Sequence, residues 1–327
     1  MLKRIILSVN MCRLNRECGQ SVCVDDQTTL SGGMGDLKVF RDLLDAEGPT
    51  DRAIALFRRI VLDHYHAFGR RMPWRETTDP YRVLVSEVML QQTQVDRVQP
   101  KYEAFLATFP DIASLARASP ADVLRAWQGL GYNRRALALH SAAARIVEEF
   151  GGHVPDDPDQ LETLPGIGPA TAAAIAAYAF NRPTVYIETN VRRVFLHFFF
   201  RDRTGVTDTE IRQLVERALD REHPREWYWA LMDYGTMLAK TTANPNRRSA
   251  HHTHQSPFEG SGRQLRGRIL KVLLGTGPLG VDGLADATGA APVRLRPILD
   301  QLRNEGFVAE DGPIYRIHDG NVTEHLK

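Results

Sequence analysis

Two glutamates and a pair of glycines are the features from which catalysis could be built. Glu87 stands inside the apolar run Val83, Leu84, Val85, Val88, Met89, Leu90 and Val95. A carboxyl set among apolar side chains loses water, its pKa rises, and it can keep a proton near neutrality, as a general acid must. The competing reading is a glutamate on the polar face of an amphipathic helix, a face that Gln91, Gln92 and Gln94 continue. Glu188 follows Val185-Tyr186-Ile187, with Thr189 or Asn190 placed to cap the next helix, so a second carboxylate stands at a positive helix end. Between the two acids lies Leu164-Pro165-Gly166-Ile167-Gly168, where glycines allow amide N–H groups to face an anion at the start of a helix. A glycine pair of this kind is also the mark of an ordinary turn. Taken together, a phosphate grip leading into a carboxylate describes a reaction site.

These residues need helices to hold them. From Thr171, the alanines 172, 173, 174, 176, 177 and 179 make a slim helix that can pack closely before Pro183 breaks it. Ile54, Leu56, Phe57, Ile60, Val61 and Tyr65 give an earlier helix that stops at Arg71-Met72-Pro73-Trp74-Arg75. Trp74 and Arg75 read either as a pocket wall or as a loop anchor with a solvated arginine. Asp79-Pro80 opens a helix whose pattern runs from Tyr81 to Val98. Gly131-Tyr132-Asn133-Arg134-Arg135 sets an aromatic beside basic residues at a loop-to-helix junction, suited to a base and its phosphates or to a plain surface helix start. Val191 to Phe200 and Trp227 to Met237 are further apolar helices, and short connections between all of these fit a compact helical bundle.

The flanks differ in character. Met1 to Pro49 has weak periodicity and reads as a disordered extension of about residues 1–50, with translation from Met34 as one explanation. Ala239 to Pro257 crowds Asn, Pro, Arg, His and Ser without apolar periodicity and reads as a linker, its His251, His252 and His254 solvated. From Gln264, three helices and a hairpin read as a small winged helix-turn-helix spanning 261–320, whose Arg294, Arg296 and Arg303 could face DNA. The 41 basic and 40 acidic residues give a net charge of +1, which neither requires nor excludes nucleic acid. No apolar run reaches the roughly 18 residues of a membrane span, and the chain reads as cytoplasmic and nucleoid-associated, with no membrane partner. Its three cysteines, Cys12, Cys18 and Cys23, lack a fourth soft ligand at matching spacing, so no metal site is expected.

With Pro73-Trp74-Arg75, Asp79-Pro80-Tyr81, the stretch Ser86-Glu87-Val88-Met89-Leu90-Gln91-Gln92-Thr93-Gln94-Val95, Gly129-Leu130-Gly131-Tyr132 and Leu164 to Gly168 in order, the chain resembles the helix-hairpin-helix (HhH-GPD) DNA glycosylases. Within them it looks most like the adenine DNA glycosylases of the MutY type. The resemblance implies a mainly α, two-lobed glycosylase domain over 51–240, with a six-helix part at about 76–182 and a second lobe from 51–75 and 183–240. It implies a monomer acting on double-stranded DNA with a mispair, excising adenine opposite 8-oxoguanine or guanine in base excision repair. Two alternatives stay open: a glycosylase for a mismatched or damaged pyrimidine, and a DNA-binding homologue without catalysis.

By the same resemblance, Glu87 matches the acid that protonates the adenine, and Trp74 and Arg75 match the wall of the base pocket. Gln91, Gln92, Thr93 and Tyr132 match groups that wedge into the duplex, while Leu164, Gly166, Gly168 and Thr171 belong to the hairpin that holds phosphate. Asn190 matches an asparagine beside the second carboxylate. The chain departs from the pattern in four ways. Glu188 stands where the family has aspartate. Ala170 stands where strand-cleaving relatives carry a lysine and adenine glycosylases often a polar or aromatic residue, which implies a monofunctional enzyme with a roomier pocket. The cysteines of the family's 4Fe-4S cluster are missing from 241–260, so no cofactor is expected. A winged helix replaces the domain that recognises 8-oxoguanine.

Overall fold

The computed structural model describes residues 26–250 and 258–318, with side chains from residue 35 onward. Helices α1 (Asp26–Glu47) and α2 (Asp51–Phe68) lead to a single 3-10 turn at Pro73–Arg75. Then come α3 (Pro80–Leu90), α4 (Val95–Thr108), α5 (Ile112–Ala116), α6 (Pro120–Trp127), α7 (Arg134–Glu149), α8 (Pro158–Glu162) and α9 (Pro169–Phe180). The chain returns to the first helices through α10 (Thr189–Phe199), α11 (Asp208–Ala218) and α12 (Pro224–Thr241). Most of these starts are set locally. Proline occupies the opening turn of α3, α6, α8, α9 and α12, where its missing N–H costs nothing, and Thr50 caps α2.

Two hydrophobic cores result. One gathers Leu84, Met89, Phe105, Trp127 and Leu137 from α3, α4, α6 and α7; the other gathers Phe57, Phe195, Trp227 and Tyr228 from α2, α10 and α12. Helix α9 belongs to both. Its Ala172, Ile175 and Ala176 face the first core, and Ala173, Ala174, Ala177 and Ala179 face the second. Small side chains let one helix lie between two lobes, as the alanine run predicts. A second close approach occurs at Gly235, where a β-carbon would come within 2.6 Å of the Asn190 side chain, so α12 and α10 pack nearly backbone to backbone.

The C-terminal unit consists of α13 (Gly262–Thr276), β1 (Leu279–Gly280), α14 (Val281–Thr288), α15 (Pro292–Asn304), β2 (Val308–Asp311) and β3 (Ile314–Ile317). Its sheet is antiparallel in the order β1-β3-β2, with Val308 opposite Ile317 and Gly312 turning the hairpin at φ 60°. The three helices and the hairpin match expectation; β1 was too short to read from sequence.

Three readings need correction. The expected extension ends earlier than residue 50, because α1 is part of the second lobe. Its Phe40 is 1% exposed and meets Phe198 and Phe199 edge-on at 5.3 and 5.5 Å. The pattern Leu37, Phe40, Leu43, Leu44 carries that face, but Gly32, Gly33 and Gly35 dilute it. The helix expected over Tyr81–Val98 is two helices. It breaks at Gln91–Gln94, where Gln92 takes φ 53° and the Arg135 guanidinium claims the terminal carbonyls of Val88, Met89 and Gln91. The segment read as a linker is packed up to residue 250. Asn246 donates to Thr189 O at 3.1 Å, Arg248 donates to the carbonyls of Phe200 and Arg201, and Val206 pairs with Ser249 as a β-bridge. His251, His252 and His254, like Cys12, Cys18 and Cys23, lie outside the described residues.

Candidate active site

A cavity of about 360 Å³ opens between the lobes, lined by Trp74, Arg75, Glu87, Tyr178, Glu188 and Trp229 among others. Glu87 and Glu188, one from each lobe, therefore line the same cavity. Burial, with Glu188 nearby, raises the Glu87 carboxyl to about 8, while Arg75 opposes the shift. Among the described residues no ion pair reaches Glu87, so it holds its proton at neutral pH.

Glu188 has a different environment. It is itself the N-cap of α10, a correction to the expectation that Thr189 or Asn190 would cap this helix. Its side chain folds back so that one oxygen, Oε1, accepts N–H donors from both Asn190 and Val191, the latter at 2.9 Å. Burial raises its pKa, but those two N–H donors and the charges of Arg193 and Arg192 pull the other way. Burial prevails and both carboxyls are raised, yet the pair is asymmetric: Glu188 accepts two backbone N–H groups that favour its charged form, whereas Glu87 has no such donors and only Arg75 opposes its shift.

Arg75 could neutralise Glu87 but is committed elsewhere. Its two terminal nitrogens bind Asp233 at 2.9 and 3.0 Å, and its guanidinium lies 5.7 Å from the Trp229 ring centre. Arg70 adds its backbone N–H and Nε to the same carboxylate at 2.8 and 2.7 Å. Burial alone would raise Asp233, yet the Arg75 and Arg70 contacts outweigh it and hold the group below its ordinary value. Trp74 is buried beside this cluster and meets Tyr102 edge-on at 5.4 Å. Asn190 is oriented by Arg193, which donates to its Oδ1 at 2.6 Å and to Gly235 O at 2.9 Å.

Sequence reasoning missed Tyr178, Tyr186, Trp229 and Asp233. Tyr178 and Tyr186 share a hydroxyl–hydroxyl hydrogen bond of 3.0 Å at the cavity wall, and Tyr178 stacks on Trp229. A signal existed, since Ala170, Ala174 and Tyr178 are spaced four apart and so share one face of α9. Asp233 carried none, because its partners are 158 and 163 residues away.

The expected DNA-facing residues divide into two groups. Gln92, at φ 53°, and Tyr132, at φ 48° and 42% exposed, sit at the tips of two loops. Gln91 and Thr93 hold those loops in place. Gln91 donates to Gly166 O and Thr171 Oγ1, both at 3.2 Å, and Thr93 Oγ1 accepts from Arg135 at 2.9 Å. Gly166 turns at φ 75° directly over Ala138, where a β-carbon would come within 2.6 Å, and Gly168 begins α9 without a side-chain cap, so that its first N–H groups stay open to a ligand. Leu164 is 2% exposed; it anchors the hairpin in the core and does not offer its side chain to DNA.

Residues 85–221 match the HhH-GPD superfamily of base excision DNA repair proteins. The adenine DNA glycosylase of Mycolicibacterium smegmatis is 34% identical over 269 residues, covering 76% of this chain and 92% of that protein. The chain belongs to the adenine DNA glycosylase family. The family's Mycobacterium tuberculosis member is 36% identical over 65% of this chain and 77% of its own length. The human adenine DNA glycosylase is 31% identical, and the chain spans about half of that protein, 48%. Over 60% of this chain the fold is similar to that of a thermostable thymine-DNA glycosylase, with a TM-score of 0.54 at 22% identity and 92% of that chain covered. The segment Ala239 to Gln255, where the resemblance places the thiolate ligands of a 4Fe-4S cluster, contains no cysteine. Hydrogen bonds from Asn246 and Arg248 tie that segment to α10 and the turn after it.

Proposed function

We propose that this chain is a monofunctional glycosylase of base excision repair that hydrolyses the N-glycosidic bond of adenine mispaired with 8-oxoguanine or guanine in duplex DNA. The observation that carries this reading is the asymmetric pair of acids in one cavity. A nucleotide flipped out of the stack enters that cavity, and Glu87, neutral at physiological pH, protonates the leaving purine at a ring nitrogen. Ionised Glu188, with one oxygen tied to the start of α10, faces the positive sugar as the bond breaks. Ala170 lines the cavity where strand-cleaving relatives place a lysine, so water, not an amine, completes the reaction. The amide-lined start of α9 holds the flipped strand's phosphate, and the loops bearing Gln92 and Tyr132 enter the gap it leaves. The enzyme works as a clusterless monomer, and purified protein without absorption near 400 nm is the expected state.

The test is incubation of purified protein with duplexes carrying adenine opposite 8-oxoguanine or guanine, and in parallel uracil or thymine opposite guanine, followed by alkali. Cleavage of the adenine strand, lost in Glu87→Gln, supports the assignment. Intact adenine duplexes with cleaved pyrimidine strands would transfer the activity to a pyrimidine, and binding without cleavage in any lane would make the chain a DNA-binding protein.

A further inference from the structure

The wedge loops sit in the middle of a continuous chain of contacts. At one end is the hairpin, joined through Gly166 O to Gln91. Gln91 O accepts from Arg135, which also donates to Gly131 O at 3.1 Å, next to Tyr132. Tyr132 in turn meets Arg263 of α13, whose guanidinium lies 3.4 Å from its hydroxyl. The hairpin end holds one phosphate backbone beside the cavity. A duplex presents two backbones, and the far end of this line is basic.

Four cations from three helices surround the Gly129–Tyr132 turn. Arg97 donates to Gly129 O, and the Lys101 side chain passes close to the same glycine. Arg134 begins α7 at 55% side-chain exposure, 3.9 Å from Glu305, but Glu305 is already held by Arg266 at 2.8 and 3.1 Å. Arg263 comes from the C-terminal unit. Helix α13 carries Arg263, Arg266, Arg268 and Lys271 and no acid; on α15, Arg303 is paired with Asp300 and Glu310, Arg294 donates to Gly260 O, and Arg296 is exposed, outside these pairs. We infer that Arg97, Lys101, Arg134 and Arg263 form the grip for the sugar-phosphate backbone of the strand opposite the flipped nucleotide, so that the C-terminal unit engages DNA through α13. The inference rests on the function proposed above and adds the second strand to it.

Phosphate contacts reveal themselves in salt dependence, each one adding about 0.9 to the slope of log K against log salt on duplex DNA. Binding is measured by anisotropy in the Glu87→Gln background on a duplex with adenine opposite 8-oxoguanine, across a potassium chloride series. Arg263→Ala should lower the slope by about one contact, and Lys101→Ala with Arg263→Ala by about two. Neutral methylphosphonates are then placed singly along each strand. Substitution on the 8-oxoguanine strand should weaken the parent protein at positions to which Arg263→Ala has become insensitive. An unchanged slope, or sensitivity lost only on the adenine strand, overturns the inference while adenine excision by the wild type leaves the function standing. A wild type that neither binds nor cleaves the duplex overturns both. An unshifted melting temperature in the two surface variants, with a lost slope, assigns the effect to contact and not to folding.

Discussion

Arg75 grips Asp233 with both terminal nitrogens, at 2.9 and 3.0 Å, and this pairing leaves Glu87 free to keep its proton. Removing the acid should free the cation. In Asp233→Asn, Arg75 is expected to turn toward Glu87 and lower its pKa, so the alkaline limb of the rate profile should move below its wild-type position near pH 8. Breaking a buried pair by removing one partner also costs about 3–5 kcal/mol, which thermal unfolding will show.

The pH dependence follows from the direction of the two shifts. Glu87 has its pKa raised from 4.5 to about 8, so single-turnover excision should fall as pH rises through 8, and fall at low pH as Glu188 takes up a proton. Because the folded state binds the Glu87 proton more tightly than the unfolded chain, this group favours folding below pH 4.5 and loses that contribution as pH climbs toward 8. Glu87→Gln should therefore be increasingly more thermostable than wild type between pH 5 and pH 8 while its turnover drops about 10²- to 10⁴-fold.

Glu188 combines a cap with chemistry, and the two can be separated. Glu188→Ala removes an N-cap and should cost about 0.5–2 kcal/mol, a small fall in melting temperature. Its excision rate should fall by about 10²- to 10³-fold, because nothing else on α10 supplies negative charge to the sugar. Comparable losses in stability and rate would reduce Glu188 to a structural cap.

Arg135 is a buried guanidinium that donates to the carbonyls of Val88, Met89, Gln91 and Gly131 and to the Thr93 hydroxyl, and it joins the Gln91–Thr93 and Gly129–Tyr132 loops. Arg135→Lys keeps the charge but cannot span these acceptors. We expect lower affinity for duplex DNA with little change in affinity for a single strand, and Arg135→Met should be worse in both stability and binding.

Phe40→Ala tests whether α1 belongs to the catalytic domain. Truncating this aromatic, packed against Phe57, Phe198 and Phe199, should cost about 3–5 kcal/mol.

Which features the sequence disclosed depended on how local their causes are. Glu87 was legible because its apolar neighbours are consecutive, and the α9 hairpin because glycine and proline mark turns on their own. The capping role of Glu188 was misassigned to its neighbours because serine-like caps are commoner than a glutamate folding back. Asp233 and the break after Leu90 were not legible at all. One depends on arginines far along the chain, and the other on Arg135 arriving from α7 to take the carbonyls of α3. Helix α1 lay between, its apolar face present but thinned by glycine.

The most direct measurement of the central claim is identification of the released base by mass spectrometry. Wild-type protein incubated with a duplex bearing adenine opposite 8-oxoguanine should release free adenine, and Glu87→Gln should bind the same duplex and release none. Release of adenine by Glu87→Gln at the wild-type rate, or no base released by wild type from a duplex it binds, would contradict the account.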